Sequence, residues 1–246
     1  MILRNRYKTH AGIPQGSTIN SGSLLEIYFQ ANIGEIASTW RDSSVNGNHA
    51  SQSTEDNQPA RVVGGGLNFE DTNNVSTASH MDFTDFDIGA STNFLAFIVC
   101  KIEAAVETTC FLSDSGTEVM QFTTDSQFQL KTGTNSNITH SSIFTIPTDV
   151  KTLFMLERTN GSTGTLKVYK QGLVCNGNNN AGSTNTGDIS LSNLGAKNNP
   201  SNESNWFDGV MYDVGVLTGT AVTARNRNLI TDYLLSKHGL ERLAND

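Results

Sequence analysis

The 246-residue chain predicts an all-β, antiparallel two-sheet sandwich closed by one C-terminal helix. Three observations carry this. Apolar runs are short, rich in β-branched and aromatic residues, and recur at even intervals. The spacers are made of Gly, Asn, Ser and Thr, with 22 glycines against 4 prolines, which suits many tight turns. Helical periodicity is absent between the runs, so no parallel crossover is available, and it surfaces only near the C-terminus.

The elements follow in order. The run from Leu24 to Phe29 opens the strands. A polar stretch from Trp40 to Ala50 carries Asn46-Gly47, a strong turn signal. Leu67 to Asp71 reads as a short strand, and Phe94 to Cys100 as a strand buried on both faces. Thr109 to Asp114, Glu118 to Thr123, Gln127 to Thr132 and Leu153 to Arg158 continue the series. After Asn160-Gly161, Leu166 and Val168 alternate with Lys167 in the strand from Thr165 to Lys170. The densest acidic run, Asp82, Asp85 and Asp87, is expected to be a solvated turn, and Asn176 to Gly187 a polar loop.

Near the end, Val210, Tyr212, Val214 and Val216 are expected on one strand face, opposite Met211, Asp213, Gly215 and Leu217. Thr223 suits the N-cap of a helix from Ala224 to His238 with the apolar stripe Leu229, Ile230, Tyr233 and Leu234. Lys237 and His238 suit its negative end, and Gly239 a left-handed stop. The sandwich domain is expected over 23–246. Residues 1–22 form a separate arm, where Arg4, Arg6 and Lys8 precede the first acid, Glu26. The arm reads either as free chain or as a docking arm that orders against another subunit.

The formal net charge of −8 disfavours nucleic acid, whose phosphates need clustered Lys and Arg. Three cysteines, Cys100, Cys110 and Cys175, leave at least one thiol unpaired in a monomer and lack metal-ligand spacing. The start Met1-Ile2-Leu3-Arg4 has no apolar signal core, and no apolar run is long enough to span a bilayer. Folding in a reducing cytosol and no membrane partner are the expectations.

Catalytic patterns are missing. Glu103 and Glu107 would sit about 13 Å apart on a strand, too far for paired acid–base work. A Gly-x-Ser-x-Gly elbow, a phosphate loop and zinc-spaced histidines are all absent, since His10, His49, His80, His140 and His238 are scattered. The chain is read as non-enzymatic.

Trp40, Asp42 and Ser43, followed by Gly47-Asn48-His49-Ala50, resemble the N-terminal signature of laminin G-like, concanavalin A-like jelly-roll domains. Phe207-Asp208-Gly209-Val210, with Tyr233-Leu234 and Lys237-His238-Gly239-Leu240, look like the family's last strand and closing helix. Thr165 to Tyr169 with Gly172 looks like one of its hairpins.

The resemblance implies a jelly roll that requires no cofactor. It implies a calcium ion at the rim, with Asp42, Asn48, Asp71 and Asp208 as candidate ligands. Trp40 and Trp206 become candidate sugar-stacking platforms, beside a plain packing role for both. Hydrolases of this fold carry Glu-x-Asp-x-x-Glu on one strand, and the chain lacks it. With its basic arm, the chain resembles laminin G-like modules of tailed-bacteriophage structural proteins. The expected function is a homo-oligomeric capsid decoration or head/tail appendage protein of the virion. Arg4, Arg6 and Lys8 would anchor it to a major capsid protein or another subunit, and a glycan-binding face would point toward host-surface sugars. The alternative is a carbohydrate-binding module of a bacterial secreted or surface protein; a more remote one is a glycoside hydrolase without the usual motif.

Overall fold

The computed structural model describes residues 25–70, 78–103, 108–114, 118–124, 126–133, 137–141, 145–159, 165–175, 178–179, 186–197 and 205–244, with backbone alone for 137–141, 165 and 178–179. Arg4, Arg6, Lys8 and Asp71 lie outside them.

Two antiparallel sheets face each other. In the first, the order is Leu173–Val174, Thr165–Lys170, Thr152–Thr159, Phe94–Ile102, Gly209–Thr218, Leu67–Phe69, Ala60–Arg61; Leu25–Gln30 pairs with the second half of Gly209–Thr218. In the second, the order is Asn178–Asn179, Asn137–Ser141, Gln127–Lys131, Val119–Thr124, Thr109–Ser113, Ile189–Leu194, Met81–Ile88, Ala50–Ser51, Thr39–Trp40, Glu35–Ile36. Half of the neighbouring pairs join consecutive strands and half join strands distant in sequence, as a sandwich of hairpins tied by long-range pairing requires.

The main core fills the space between the sheets. Phe122 of the second sheet meets Phe154 of the first at 5.0 Å between ring centroids, and Phe29 meets Phe83 at 5.7 Å. Each such buried ring contributes about 1.5–3 kcal/mol of transfer free energy. A second apolar cluster lies on the other side of the first sheet. There Leu95, Phe97, Val99 and Leu153 pack against Ile230, Leu234 and Leu235 of the helix Ala224–His238. Phe94–Ile102 is buried on both faces because it lies between these two clusters.

The helix ends follow their caps. Thr223 accepts a hydrogen bond from Asn226 N at its side chain, and Gly239 closes the last turn with φ 65°. Ile230 and Leu234 are buried as the stripe requires, Leu229 and Tyr233 are half-buried, and Leu235 joins the contact.

Two expectations are corrected. Met81–Ile88 is a strand and not a turn: Asp82 lies opposite Asn193, and Asp87 opposite Ser190. The strict alternation from Val210 to Leu217 also fails. A bulge between Met211 and Asp213 puts Met211, Val214 and Val216 in the main core and Val210, Tyr212 and Leu217 beneath the helix. A bulge inserts one residue and shifts the phase of everything after it.

Candidate functional site

The signature turn organises a sheet edge. Oδ1 of Asp42 accepts Tyr28 N and Ser44 N, both at 2.8 Å. Its Oδ2 accepts Asn48 N at 2.9 Å and Ser44 Oγ at 2.6 Å. Asp42 N donates to Nδ1 of His49 at 3.2 Å. Ser43 N donates to Tyr28 O and Asn46 Nδ2 donates to Glu26 O, beside which Ser44 Oγ lies at 3.0 Å. The turn thus satisfies the free backbone edge of Leu25–Gln30, which would otherwise be open to another strand. His49 thus makes a turn contact through Nδ1.

The same geometry does not fit a calcium ion bound by the expected set. The Asp42 carboxylate is already saturated by four donors. Asn48 contributes its backbone N–H to that cage. Asp42 bridges to Phe29, which lies opposite Val214. Asp208 precedes Gly209 on that strand, six residues away, or roughly 20 Å. Calcium ligands must lie within about 2.6 Å of one ion, so Asp42 and Asp208 do not share one. Among the described residues, no group of three or more His, Cys, Asp or Glu is placed to hold a metal.

The tryptophans are structural too. Trp40 is fully buried, packs on Phe29 at 5.7 Å, and donates Nε1–H to Gln30 O at 3.0 Å. It has no face to offer a sugar. Trp206 is 6 % exposed and packs with Ala78, Ala196 and the His80 ring. The stacking role is therefore corrected for Trp40, and Trp206 keeps only a sliver of surface. All three cysteines are buried free thiols, and burial pushes Cys110 and Cys175 up to about 12. Their role is packing.

The outer face of the first sheet is sealed by the helix. Glu157 accepts from Tyr169 Oη at 2.8 Å and pairs with Arg227, while Asp213 pairs with Lys237 and His238.

The outer face of the second sheet differs, because no helix of the described residues covers it. In Gln127–Lys131, Phe128 and Leu130 point into the core, and half-buried Gln127, Gln129 and Lys131 point out. Gln129 is the cross-strand partner of Gln121, which lies beside Cys110. The amides form a directional relay: Asn205 Nδ2 donates to Gln121 Oε1 at 2.9 Å, and Gln121 Nε2 donates to Gln129 Oε1 at 2.6 Å. The side-chain amide nitrogen of Gln129 ends the relay. Asp82 extends the polar surface by register, while Ser113 and Asn193 beside it are buried.

Its charge is graded. Lys131 sits beside Gln129, whereas toward Ser190 the carboxyl of Glu118 is held above its usual range, first by burial and then by Asp114, Asp188 and Asp87. Planar amides with fixed donor and acceptor directions recognise hydroxyl groups well. The signal for these residues was present as polar/apolar alternation in Gln127 to Lys131. It was indistinguishable there from an ordinary solvated face.

No protein-family model and no curated protein matches the chain. Solved structures do. Domain 4 of AbnA, a GH43 extracellular arabinanase from Geobacillus stearothermophilus, in complex with arabinotriose, aligns with TM-score 0.55 at 16 % identity, over 85 % of this chain and 98 % of that one. Trypanosoma rangeli sialidase in complex with sialic acid aligns with TM-score 0.54 at 16 % identity, over 87 % of this chain and 33 % of that one. Botulinum neurotoxin type C, whose cell entry depends on two ganglioside molecules, aligns with TM-score 0.54 at 14 % identity, over 89 % of this chain and 53 % of that one. The chain therefore spans a third of the sialidase, about half of the neurotoxin chain and nearly all of the arabinanase domain. What these matches share with the chain is the two-sheet β-sandwich.

Proposed function

We propose that the chain is a carbohydrate-binding β-sandwich module whose glycan lies on the outer face of the second sheet. The observation that carries this is the relay Asn205–Gln121–Gln129. The relay pre-orients the Gln129 amide as a donor, so less ordering entropy is spent when a sugar hydroxyl binds. The glycan partners of the arabinanase domain and of the neurotoxin support the reading.

No aromatic side chain lies in the relay, so affinity rests on hydrogen bonds worth about 0.5–1.5 kcal/mol each. A weak complex, on the order of 1 mM, follows. Calorimetry on a panel of neutral and sialylated oligosaccharides tests this. At least one glycan binds, and Gln129→Ala weakens it about tenfold, the effect of losing about 1.4 kcal/mol, with thermal stability unchanged. Full affinity in Gln129→Ala, or no binding by any glycan, refutes the site.

We propose the virion placement separately, and its specific observation is the basic arm ahead of an acidic chain. Removing residues 1–22 abolishes loading onto capsid particles while leaving glycan binding intact. Normal occupancy by the truncated protein rules the arm out as the anchor.

A further inference from the structure

Both sheets end at one corner of the sandwich. Glu35–Ile36 is the last strand of the second sheet, and Ala60–Arg61 the last strand of the first. Two turns meet there, 31–36 and 62–66, joined by Asn32 Nδ2 donating to Gly64 O at 3.0 Å. Ile33 is 47 % exposed, Ile36 55 % and Val63 102 %. Among the described residues no neighbour covers Val63, and none gives a packing reason for an apolar residue at that tip.

The backbone of this corner is largely satisfied from within. Val62 N donates to Gly66 O and Gly65 N to Val62 O, both at 3.1 Å. Ile33 N donates to Gln30 O and Arg41 N to Gly34 O, both at 3.2 Å. Glu35 is buried, and its Oε1 accepts Asn32 N at 2.7 Å and Gly66 N at 3.4 Å, clamping the two turns together. Turns closed in this way can leave water with few stranded backbone groups; Glu35 Oε2 is already buried without a hydrogen-bond partner.

The local charge is opposite to that of the whole chain. Against a formal net charge of −8, the exposed ionic groups at the corner are Arg61 and Arg41, whose stem lies along Gly34. Glu35 is buried but pairs with Arg61, its Oε1 3.9 Å from Nε, so it offsets one of the two cations and leaves a single net positive charge on the described corner.

We propose that this corner docks on the surface of an anionic lipid bilayer. Ile33, Ile36 and Val63 enter the headgroup–acyl boundary, and Arg41 and Arg61 meet lipid phosphates or carboxylates. Docking of this kind needs no spanning segment. The surface is separate from the amide relay and does not depend on the glycan reading.

Flotation with vesicles of equal parts phosphatidylcholine and phosphatidylserine tests it, with pure phosphatidylcholine vesicles alongside. The full chain floats with the anionic vesicles and not with the neutral ones, and high salt releases it. Ile36→Asp/Val63→Asp and Arg41→Glu/Arg61→Glu each weaken binding about tenfold or more, about 1.4 kcal/mol, with unchanged melting temperature. Val150→Asp, at an exposed aliphatic elsewhere, leaves it intact. Absence of flotation, equal flotation with neutral vesicles, or full binding by the two double variants overturns the proposal. So does a concentration-dependent dimer that Ile36→Asp/Val63→Asp dissolves, because a second copy would then be the occupant.

Discussion

Replacing Arg158 with alanine is expected to lower the unfolding free energy by about 3–5 kcal/mol, read as a fall in the urea midpoint at unchanged slope. Arg158 closes the strand Thr152–Thr159 and has no exposed surface. Its guanidinium holds three carbonyls from two connections. Nε and Nη2 donate to Thr92 O at 2.9 and 2.8 Å, Nη1 to Gly187 O at 2.6 Å, and Nη2 to Gly89 O at 3.3 Å. The Phe94 ring lies beneath at 4.9 Å. Burial draws its pKa down to about 10, while nearby Asp188 pulls the other way. The cation therefore survives indoors mainly on backbone dipoles. Alanine strands those carbonyls and leaves a cavity. Lysine carries one compact ammonium in place of a planar fork and recovers only part of the loss. A loss below about 1 kcal/mol, the size of one ordinary hydrogen bond, would show that water replaces the fork and that Arg158 does not tie the connections together.

The contrast between Arg158 and the helix caps shows what could be read in advance. Thr223, Gly239 and the apolar strands report on neighbours one to four residues away, so local patterns expose them. Arg158 reaches Gly89 and Thr92, 69 and 66 positions away, and on paper is only a polar residue closing a strand. The bulge after Met211 is invisible for a similar reason: it depends on which strand lies alongside. Asp82, Asp85 and Asp87 were misleading because a strand at a sheet's outer face tolerates acids on its solvent side. At the candidate site, Trp40 and Asp42 were conspicuous as residue types, yet packing and edge closure account for them. Gln121, Gln129 and Asn205 have no conspicuous motif and acquire meaning only through cross-strand register.

Asp213→Ala is expected to cost about 3–5 kcal/mol, with the loss concentrated where the helix meets the sheet. The bulge at Asp213 is what makes its position hazardous. It lies on a central strand with no exposed surface, paired with Lys237 Nζ at 2.7 Å and with Nε2 of His238. Tyr28 stands beside it, and its phenol is pushed well above its usual range, first by burial and then by the Asp213 charge. Removing the carboxylate leaves two basic side chains facing an apolar sheet, and the helix can relieve them only by lifting. Hydrogen exchange should therefore accelerate in 224–238 while Phe94–Ile102 stays protected. The cost lies mainly in the unpaired partners, because a buried ion pair gains little net energy over apolar residues of similar volume. Asp213→Leu combined with Lys237→Met should accordingly regain most of the stability that Asp213→Ala loses. If the double variant is as unstable as Asp213→Ala, the pair itself holds the helix. If Asp213→Ala is neutral, the apolar contacts of Ile230, Leu234 and Leu235 suffice, and the carboxylate sets only where along the strand the helix stops.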